Sequence, residues 1–130
     1  MALGKIKADT LEHSTAGSLD TQFVVNGSAK AWVNFNGSGT IAARDSFNFS
    51  SLTDNGTGNY TVTMASAMAN DDYCITVSAG DASVGFVTRT YDDGSARSTT
   101  AYRTFSLNIA ASPSGGDGAF QERTVHGDLA

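Results

Sequence analysis

The sequence is poor in the residues that usually cross-link or activate a small protein. Of its 130 residues, one is cysteine (Cys74), one is proline (Pro113), and two are histidine. A single cysteine excludes a disulfide within these residues, which is typical of synthesis in a reducing cytoplasm. Charged residues make up 16%, below the roughly 25% of ordinary soluble domains. We therefore expect stability to come from the packed core of one small domain.

Positive charge is also scarce. The formal net charge is −5, so there is no overall positive field to attract phosphates, and neither nucleic acid nor an anionic membrane surface is an expected partner. The first twenty residues include Lys5 and Lys7 and contain no apolar run long enough for a signal peptide or a membrane span. We expect no membrane insertion, and a mature chain that starts at or near Met1.

Short runs of alternating apolar and polar residues separated by turn residues fill the chain from residue 21 onward. They predict strands at 21–26, 29–35, 40–43, 46–52, 59–64, 72–79, 83–91, 99–110 and 120–126. Side chains of a strand alternate between its two faces, so such runs can place one set in a core. The expected fold is all-β: an antiparallel β-sandwich, jelly-roll-like, over residues 21–130.

Alternation also predicts which residues form the core. The predicted core residues are Phe47, Phe49, Tyr60, Val62, Met64, Tyr73, Ile75, Val77, Phe105, Leu107 and Ile109. Residues 54–58, DNGTG, tolerate positive φ and predict a hairpin turn. The only tryptophan, Trp32, shares one strand face with Lys30 and Asn34. We expect it to pack beside the 54–58 turn, either in the core or against a neighbouring subunit, with glycines 37 and 39 permitting close approach.

The N-terminal residues 1–20 are too few to form a core of their own. Their large apolar side chains include Leu3, Ile6 and Leu11. We expect an N-terminal arm for attachment and oligomerisation, with these three residues and Trp32 as assembly contacts.

Candidates for catalysis and metal binding are few. His13 and His126 have no Cys or His neighbours at metal-binding spacing, and Cys74 has no histidine nearby in sequence to activate it. The pairs Asp71–Asp72 and Asp92–Asp93 could serve acid/base chemistry, but both flank turns, where aspartate bonds its own backbone. We expect no catalytic residue, no cofactor and no metal site.

One stretch of the chain is far more specific than any short motif. Residues 27–64 read GSAKAWVNFNGSGTIAARDSFNFSSLTDNGTGNYTVTM. This stretch resembles a repeated element of tailed-bacteriophage tail fibre or tail spike proteins, with the pattern KAWVNFNGxGT, then RxSFNxSS, then DNGTGxYTV. The first thirty residues and the final VHGDLA are similar to those of small virion proteins from phages of marine bacteria. Residues 81–118 are the poorly matched part.

The resemblance implies a structural virion protein rather than an enzyme. The expected form is a short tail fibre or fibre tip, a homotrimer that joins other virion proteins through its N-terminal arm and contacts the host surface. It would be made in the host bacterial cytoplasm and reside in the virion. A capsid decoration or connector protein without receptor binding is the alternative, and a small polysaccharide depolymerase is a third class.

Host contact is expected in the poorly matched segment, because loops on a rigid β scaffold often carry recognition. Its aromatic and hydrogen-bonding side chains would suit a surface glycan or protein. The candidate receptor contacts are Arg89, Tyr91, Asp92, Asp93, Arg97, Tyr102 and Arg103.

Overall fold

Eleven strands and one helix form the described part of the chain. The computed structural model describes residue 4 and residues 7–82, 85–90, 97–109 and 114–130, without the side chain of His13. The elements are β1 (Thr10–His13), β2 (Gly17–Asp20), α1 (Thr21–Gly27), β3 (Ala31–Asn36), β4 (Ala42–Phe47), β5 (Phe49–Asp54), β6 (Asn59–Met64), β7 (Cys74–Gly80), β8 (Phe86–Thr90), β9 (Ala101–Asn108), β10 (Ser114–Gly115) and β11 (Phe120–His126). The prediction of an all-β fold is confirmed.

Two antiparallel sheets pack face to face. The four-stranded sheet has the order β4-β3-β11-β7. In the five-stranded sheet, β9 pairs with β8 along one edge and with β6 and β10 along the other, and β5 follows β6. Buried apolar side chains of both sheets meet between them, as in the contact of Phe35 with Tyr60, whose ring centroids are 5.2 Å apart. The sandwich is therefore held by a shared core.

The alternation of β3 and β6 determines which side chains enter this core. Ala31, Val33 and Phe35 of β3 are buried, as are Tyr60, Val62 and Met64 of β6. The intervening residues point away from the core and are half-buried. For β6 the predicted core face, Tyr60, Val62 and Met64, is confirmed.

The chain crosses from one sheet to the other at Asn48. Its φ is +50°, a left-handed conformation that asparagine tolerates better than most residues. The Asn48 side chain also donates a 3.0 Å hydrogen bond to the Lys30 carbonyl and accepts one of 2.6 Å from the Ser66 N–H. The predicted strands 40–43 and 46–52 are therefore shifted, because the chain breaks at Asn48 rather than near residue 45. Phe47, predicted to be in the core, is 53% exposed, whereas Phe49 packs against the core.

Strand β9 buries the opposite face from the one predicted. Tyr102, Thr104 and Ser106 are buried, while Phe105 and Leu107 are half-buried on the outer face. The remaining predicted core residue of this run, Ile109, is exposed. The prediction for Phe105, Leu107 and Ile109 was wrong because hydroxyl groups are needed inside, next to a buried arginine.

That arginine is Arg123 of β11, which is 1% exposed. Its Nε donates to Thr104 Oγ1 at 3.0 Å, its Nη1 to the carbonyls of Ser78 and Glu122, and its Nη2 to Gln121 Oε1 at 2.8 Å. The guanidinium carbon also lies 5.3 Å from the ring centroid of Phe35. Burial lowers the pKa of Arg123 to about 10, so the side chain stays charged at neutral pH. The interior thus holds a cation satisfied by neutral acceptors.

Close approach of backbone segments ties the ends of the strands together. A Cβ on Gly37 would lie 2.7 Å from both the Gly118 carbonyl oxygen and the Tyr60 hydroxyl oxygen. The Tyr60 hydroxyl lies 2.6 Å from Asp117 Oδ1, which also accepts the Gly58 N–H at 2.7 Å. Gly37 thus permits a close approach, as expected, but to Tyr60 and Gly118 rather than to Trp32.

The segment 21–26, predicted as a strand, forms the helix α1. The backbone N–H and hydroxyl of Thr21 donate to carbonyls of residues 8 and 9. At the C-terminal end the Lys30 ammonium donates to the carbonyls of Val25 and Ser28. A cation at this end interacts favourably with the helix dipole. Phe23, Val24 and Val25 have high β propensity, so tertiary contacts at both ends outweigh local preference.

Substitution Arg123→Met tests the buried cation. Methionine fills the space of the arginine stem but leaves several buried acceptors without donors, which costs about 1–3 kcal/mol each. Removing the buried charge offsets part of this loss of stability. We expect the free energy of unfolding, measured by urea denaturation, to fall by about 2–4 kcal/mol. The control is Arg44→Met, an exposed arginine of β4 whose hydrogen bonds are open to solvent, which we expect to change it by about 1 kcal/mol or less. Equal stabilities of the two variants would contradict the role given to Arg123.

Candidate functional site

The N-terminal arm is a hairpin followed by a helix, with its apolar side chains facing solvent. Strand β1 pairs with β2 so that Leu11 lies opposite Leu19. Leu11 is 50% exposed and Phe23 of α1 is 58% exposed, and Leu19 and Val25 are similarly accessible. An isolated two-stranded hairpin and a seven-residue helix are each only marginally stable in water. The arm is therefore a surface that gains stability when something covers it.

The arm joins the sandwich through Lys30. This residue is buried, its ammonium bonds the end of α1, and its backbone N–H donates to the Val125 carbonyl at 2.8 Å. The sandwich begins at Ala31 with β3. The part of the chain before the sandwich therefore extends past residue 20 and includes α1, which ends at Gly27.

Trp32 lies on the outer face of the four-stranded sheet, not in the core. It is half-buried, directly opposite Phe47 on β4 and Thr124 on β11. The expectation that Trp32 packs in the core beside the 54–58 turn is wrong, because the core face of β3 carries Ala31, Val33 and Phe35. Contact with a neighbouring subunit stays a prediction.

A row of polar side chains crosses the same outer face beside Trp32. The Arg44 guanidinium donates to Asn34 Oδ1 at 3.2 Å, and the Asn34 amide donates to Glu122 Oε1 at 3.3 Å. Arg44 also donates to the Ala119 carbonyl at 2.6 Å and lies 4.8 Å from the ring centroid of Phe120. Neighbouring strands thus hold planar hydrogen-bonding groups in one line. Composition alone gave no signal for this row.

Two predicted receptor contacts meet on the outer face of the five-stranded sheet. Arg89 of β8 is exposed and lies directly opposite Phe105, with its guanidinium carbon 5.5 Å from the ring centroid. Arg103 lies two residues before Phe105 on the same face of β9, half-buried opposite Thr61. These arginines therefore flank one aromatic ring on the surface.

Two other predicted receptor contacts pack in or against the protein's own core. Tyr102 is 1% exposed and belongs to the core, where burial raises its pKa, so it cannot contact a receptor. Arg97 is exposed, but its Nη1 donates to the Tyr73 carbonyl at 3.0 Å and its guanidinium carbon lies 5.1 Å from the Tyr73 ring centroid. Arg97 thus covers a core tyrosine.

Several predicted residues lie outside the described part of the chain. They are the assembly residues Leu3 and Ile6 and the receptor contacts Tyr91, Asp92 and Asp93.

The candidates for chemistry are dispersed over the described surface. Cys74 is exposed at the start of β7, opposite His126 of β11. Asp71 and Asp72 are exposed in the preceding turn, where the Asp72 N–H donates to Asn70 Oδ1 at 3.0 Å. Within the described ranges, no group of three His, Cys, Asp or Glu side chains lies close enough to hold a metal ion. A search of the same residues finds no helix with the length and apolar character of a membrane span.

Comparison of the chain with protein-family models, with curated proteins and with solved structures finds no match.

Buried tyrosines make stability depend on alkaline pH. Burial raises the pKa of Tyr73 to about 12, from an ordinary value of 10.0, and raises those of Tyr60 and Tyr102 as well. Where a tyrosine is ionised only in the unfolded chain, stability falls by up to about 1.4 kcal/mol per pH unit. The contribution of these tyrosines to the free energy of unfolding is complete below pH 10 and is lost as the pH rises above 10. Arg123 acts in the opposite direction, since its pKa is lowered, but three tyrosines outweigh it.

We therefore expect the free energy of unfolding to fall as the pH rises from 10 to 12 in urea titrations. In Tyr73→Phe the slope should be shallower over this range, whatever the change in stability at pH 8, because one ionising group is gone. A slope identical to that of the unmodified protein would show that Tyr73 ionises equally in both states.

Proposed function

We propose that this protein is a structural bacteriophage virion protein: a short, trimeric tail fibre or fibre-tip protein that contacts the host surface. The observation that carries the proposal is the close resemblance of residues 27–64 to the repeated element of tail fibre and tail spike proteins. That stretch includes β3, β4, β5 and β6, two strands of each sheet. The phage-like element thus forms half of a rigid β scaffold rather than a surface loop.

The arm supports assembly into a larger particle. Its exposed side chains include Leu11 and Leu19, directly opposite each other on the hairpin, and Phe23 and Val25 on the helix that follows. Exposed apolar patches on a soluble domain mark interaction sites. We propose that the arms of neighbouring copies cover one another and that the arm docks onto other virion proteins.

Open sheet edges support assembly as well. Strand β4 is at the edge of the four-stranded sheet and β5 at the edge of the five-stranded sheet. Unpaired strand edges invite pairing with another chain, and oligomerisation is one way to cover them. The homotrimer in the proposal would place these edges against neighbouring copies.

We propose host contact on the outer face of the five-stranded sheet, at Arg89 and Arg103 beside Phe105. A guanidinium donates several hydrogen bonds in a fixed geometry and stacks on aromatic rings, which suits polar groups of a surface glycan or protein. We propose a binding role without catalysis, in a protein that is made in the host bacterial cytoplasm and resides in the virion.

A capsid decoration or connector protein is the alternative, and the arm is compatible with it. The arm's exposed apolar side chains would suit docking on a capsid as well as on a tail. Electron microscopy of phage particles labelled with an antibody to this protein separates the two: label at the tail tip supports the fibre, label on the head supports decoration, and unlabelled particles contradict both.

The arm's role in trimer formation is tested by light scattering of the full chain. We expect three times the chain mass of 13.4 kDa for the unmodified protein, and a shift toward monomer for the double variant Leu11→Ser, Phe23→Ser, because the covered apolar surface is lost.

The matched control is the double variant Val87→Ser, Ile109→Ser, which changes two similarly exposed apolar residues of the sandwich and should keep the trimer mass. A trimer in all three proteins would show that the arm does not direct assembly. A monomeric unmodified protein would contradict the self-assembling fibre and favour the alternative.

A further inference from the structure

The outer face of the four-stranded sheet combines aromatic rings with an ordered polar row. The register of β4, β3, β11 and β7 places Phe47, Trp32, Thr124 and Thr76 side by side in one row, and Asp45, Asn34, Glu122 and Ser78 in the next. All four strands lie within the described ranges. We call these two rows the aromatic face.

The aromatic row is accessible to solvent, although phenylalanine and tryptophan are residue types that often pack in a core. Phe47 exposes half of its surface, and Trp32 is half-buried beside it. Side chains directly opposite on antiparallel strands have Cβ atoms about 5 Å apart, so Trp32 and Phe47 are neighbours on this face, and we call the pair the platform. Thr124 and Thr76 extend the platform with methyl and hydroxyl groups.

The polar row is held in position by its own hydrogen bonds. Asn34 accepts from Arg44 and donates to Glu122, so amide, guanidinium and carboxylate are fixed relative to the platform. A carboxylate has about four acceptor sites and a guanidinium five donors, so both have capacity for a ligand. Pre-positioned polar groups beside apolar surface are the pattern of small-molecule sites.

The size and charge of the face argue against a second copy of the chain as its occupant. Four strands of six to seven residues, about 4.8 Å apart, cover roughly 400 Å². A stable protein interface needs about 800 Å² on each partner, with few charges at its centre. Here Asp45, Glu122 and Arg44 lie in or beside the central row.

We propose that the aromatic face binds an uncharged saccharide chain. A sugar ring has an apolar C–H face, which fits the Trp32–Phe47 platform, and hydroxyl groups at its rim, which fit the donors and acceptors of Arg44, Asn34 and Glu122. The charges of Arg44, Asp45 and Glu122 nearly balance, with one negative charge in excess, so a polyanion gains nothing here. The inference adds a second contact surface, on the other sheet, to the proposed function, on which it rests only for the host origin of the saccharide.

Trp32 is the only tryptophan of the chain, so intrinsic fluorescence reports on this face alone. The probes are dextran, laminarin, mannan and galactan as uncharged polysaccharides, with alginate and double-stranded DNA as polyanions. We expect at least one uncharged probe to shift Trp32 emission to shorter wavelength and to protect it from acrylamide quenching. We expect Phe47→Ala and Arg44→Gln each to weaken that binding about tenfold or more, measured by calorimetry.

The matched control is Val87→Ala, a similarly exposed apolar residue of β8 in the other sheet, which should bind as the unmodified protein does. No response to any uncharged probe, binding of alginate or DNA only, or unchanged affinity in Phe47→Ala would overturn the inference. So would a Trp32 shift that appears without saccharide as the mass rises with protein concentration, since a second copy would then cover the face. Antibody labelling of virions is independent of these results, so the proposed function can stand where the saccharide site fails.

Discussion

The buried guanidinium of Arg123 is the interaction on which the rest of the sandwich depends. A charge in the interior is costly unless each of its donors is satisfied. Here Thr104, Ser106 and Gln121, together with two backbone carbonyls, face the guanidinium. These acceptors come from both sheets, so the network fixes how β9 lies over β11. The polar contacts thereby specify one packing of two sheets whose apolar core is small.

The packing of the core determines which side chains lie on the outer faces of the sheets. Because β9 turns its hydroxyl residues inward, Phe105 lies outward between Arg89 and Arg103. Because the chain crosses from one sheet to the other at Asn48, the Phe47 side chain lies on the outer face beside Trp32. Both outer faces therefore carry aromatic rings next to hydrogen-bonding groups. The surfaces proposed for recognition follow from the demands of the interior.

The arm and the sandwich are stabilised in different ways. The sandwich buries aromatic and aliphatic side chains between its sheets, whereas the apolar residues of the arm stay accessible. Lys30 links the two, with its ammonium at the end of α1 and its backbone paired to β11. Such a division suits a protein in which one part attaches and another part presents a rigid surface.

Much of the fold could be predicted from the sequence, and the reason lies in particular residues. Alternation in β6 coincides with large apolar side chains on one face only, so periodicity identified both the strand and its buried face. In β3 periodicity identified the strand, but Trp32 on one face and Val33 and Phe35 on the other left the buried face open. The bounds of β6 and β11 were also predicted correctly, because a glycine-containing turn precedes each strand. In β9, however, both faces carry large side chains. Local pattern shows that two faces differ but not which one meets a partner. That choice was made by Arg123, far along the chain, just as Lys30 and Thr21 turned a β-prone segment into a helix. The sequence by itself determined most strands of the sandwich and the all-β class, because these depend on neighbours within a few residues. Only the tertiary structure decided the inner face of β9, the outward position of Phe47 and Trp32 and the burial of Tyr102, because these depend on charges and acceptors brought together from distant strands.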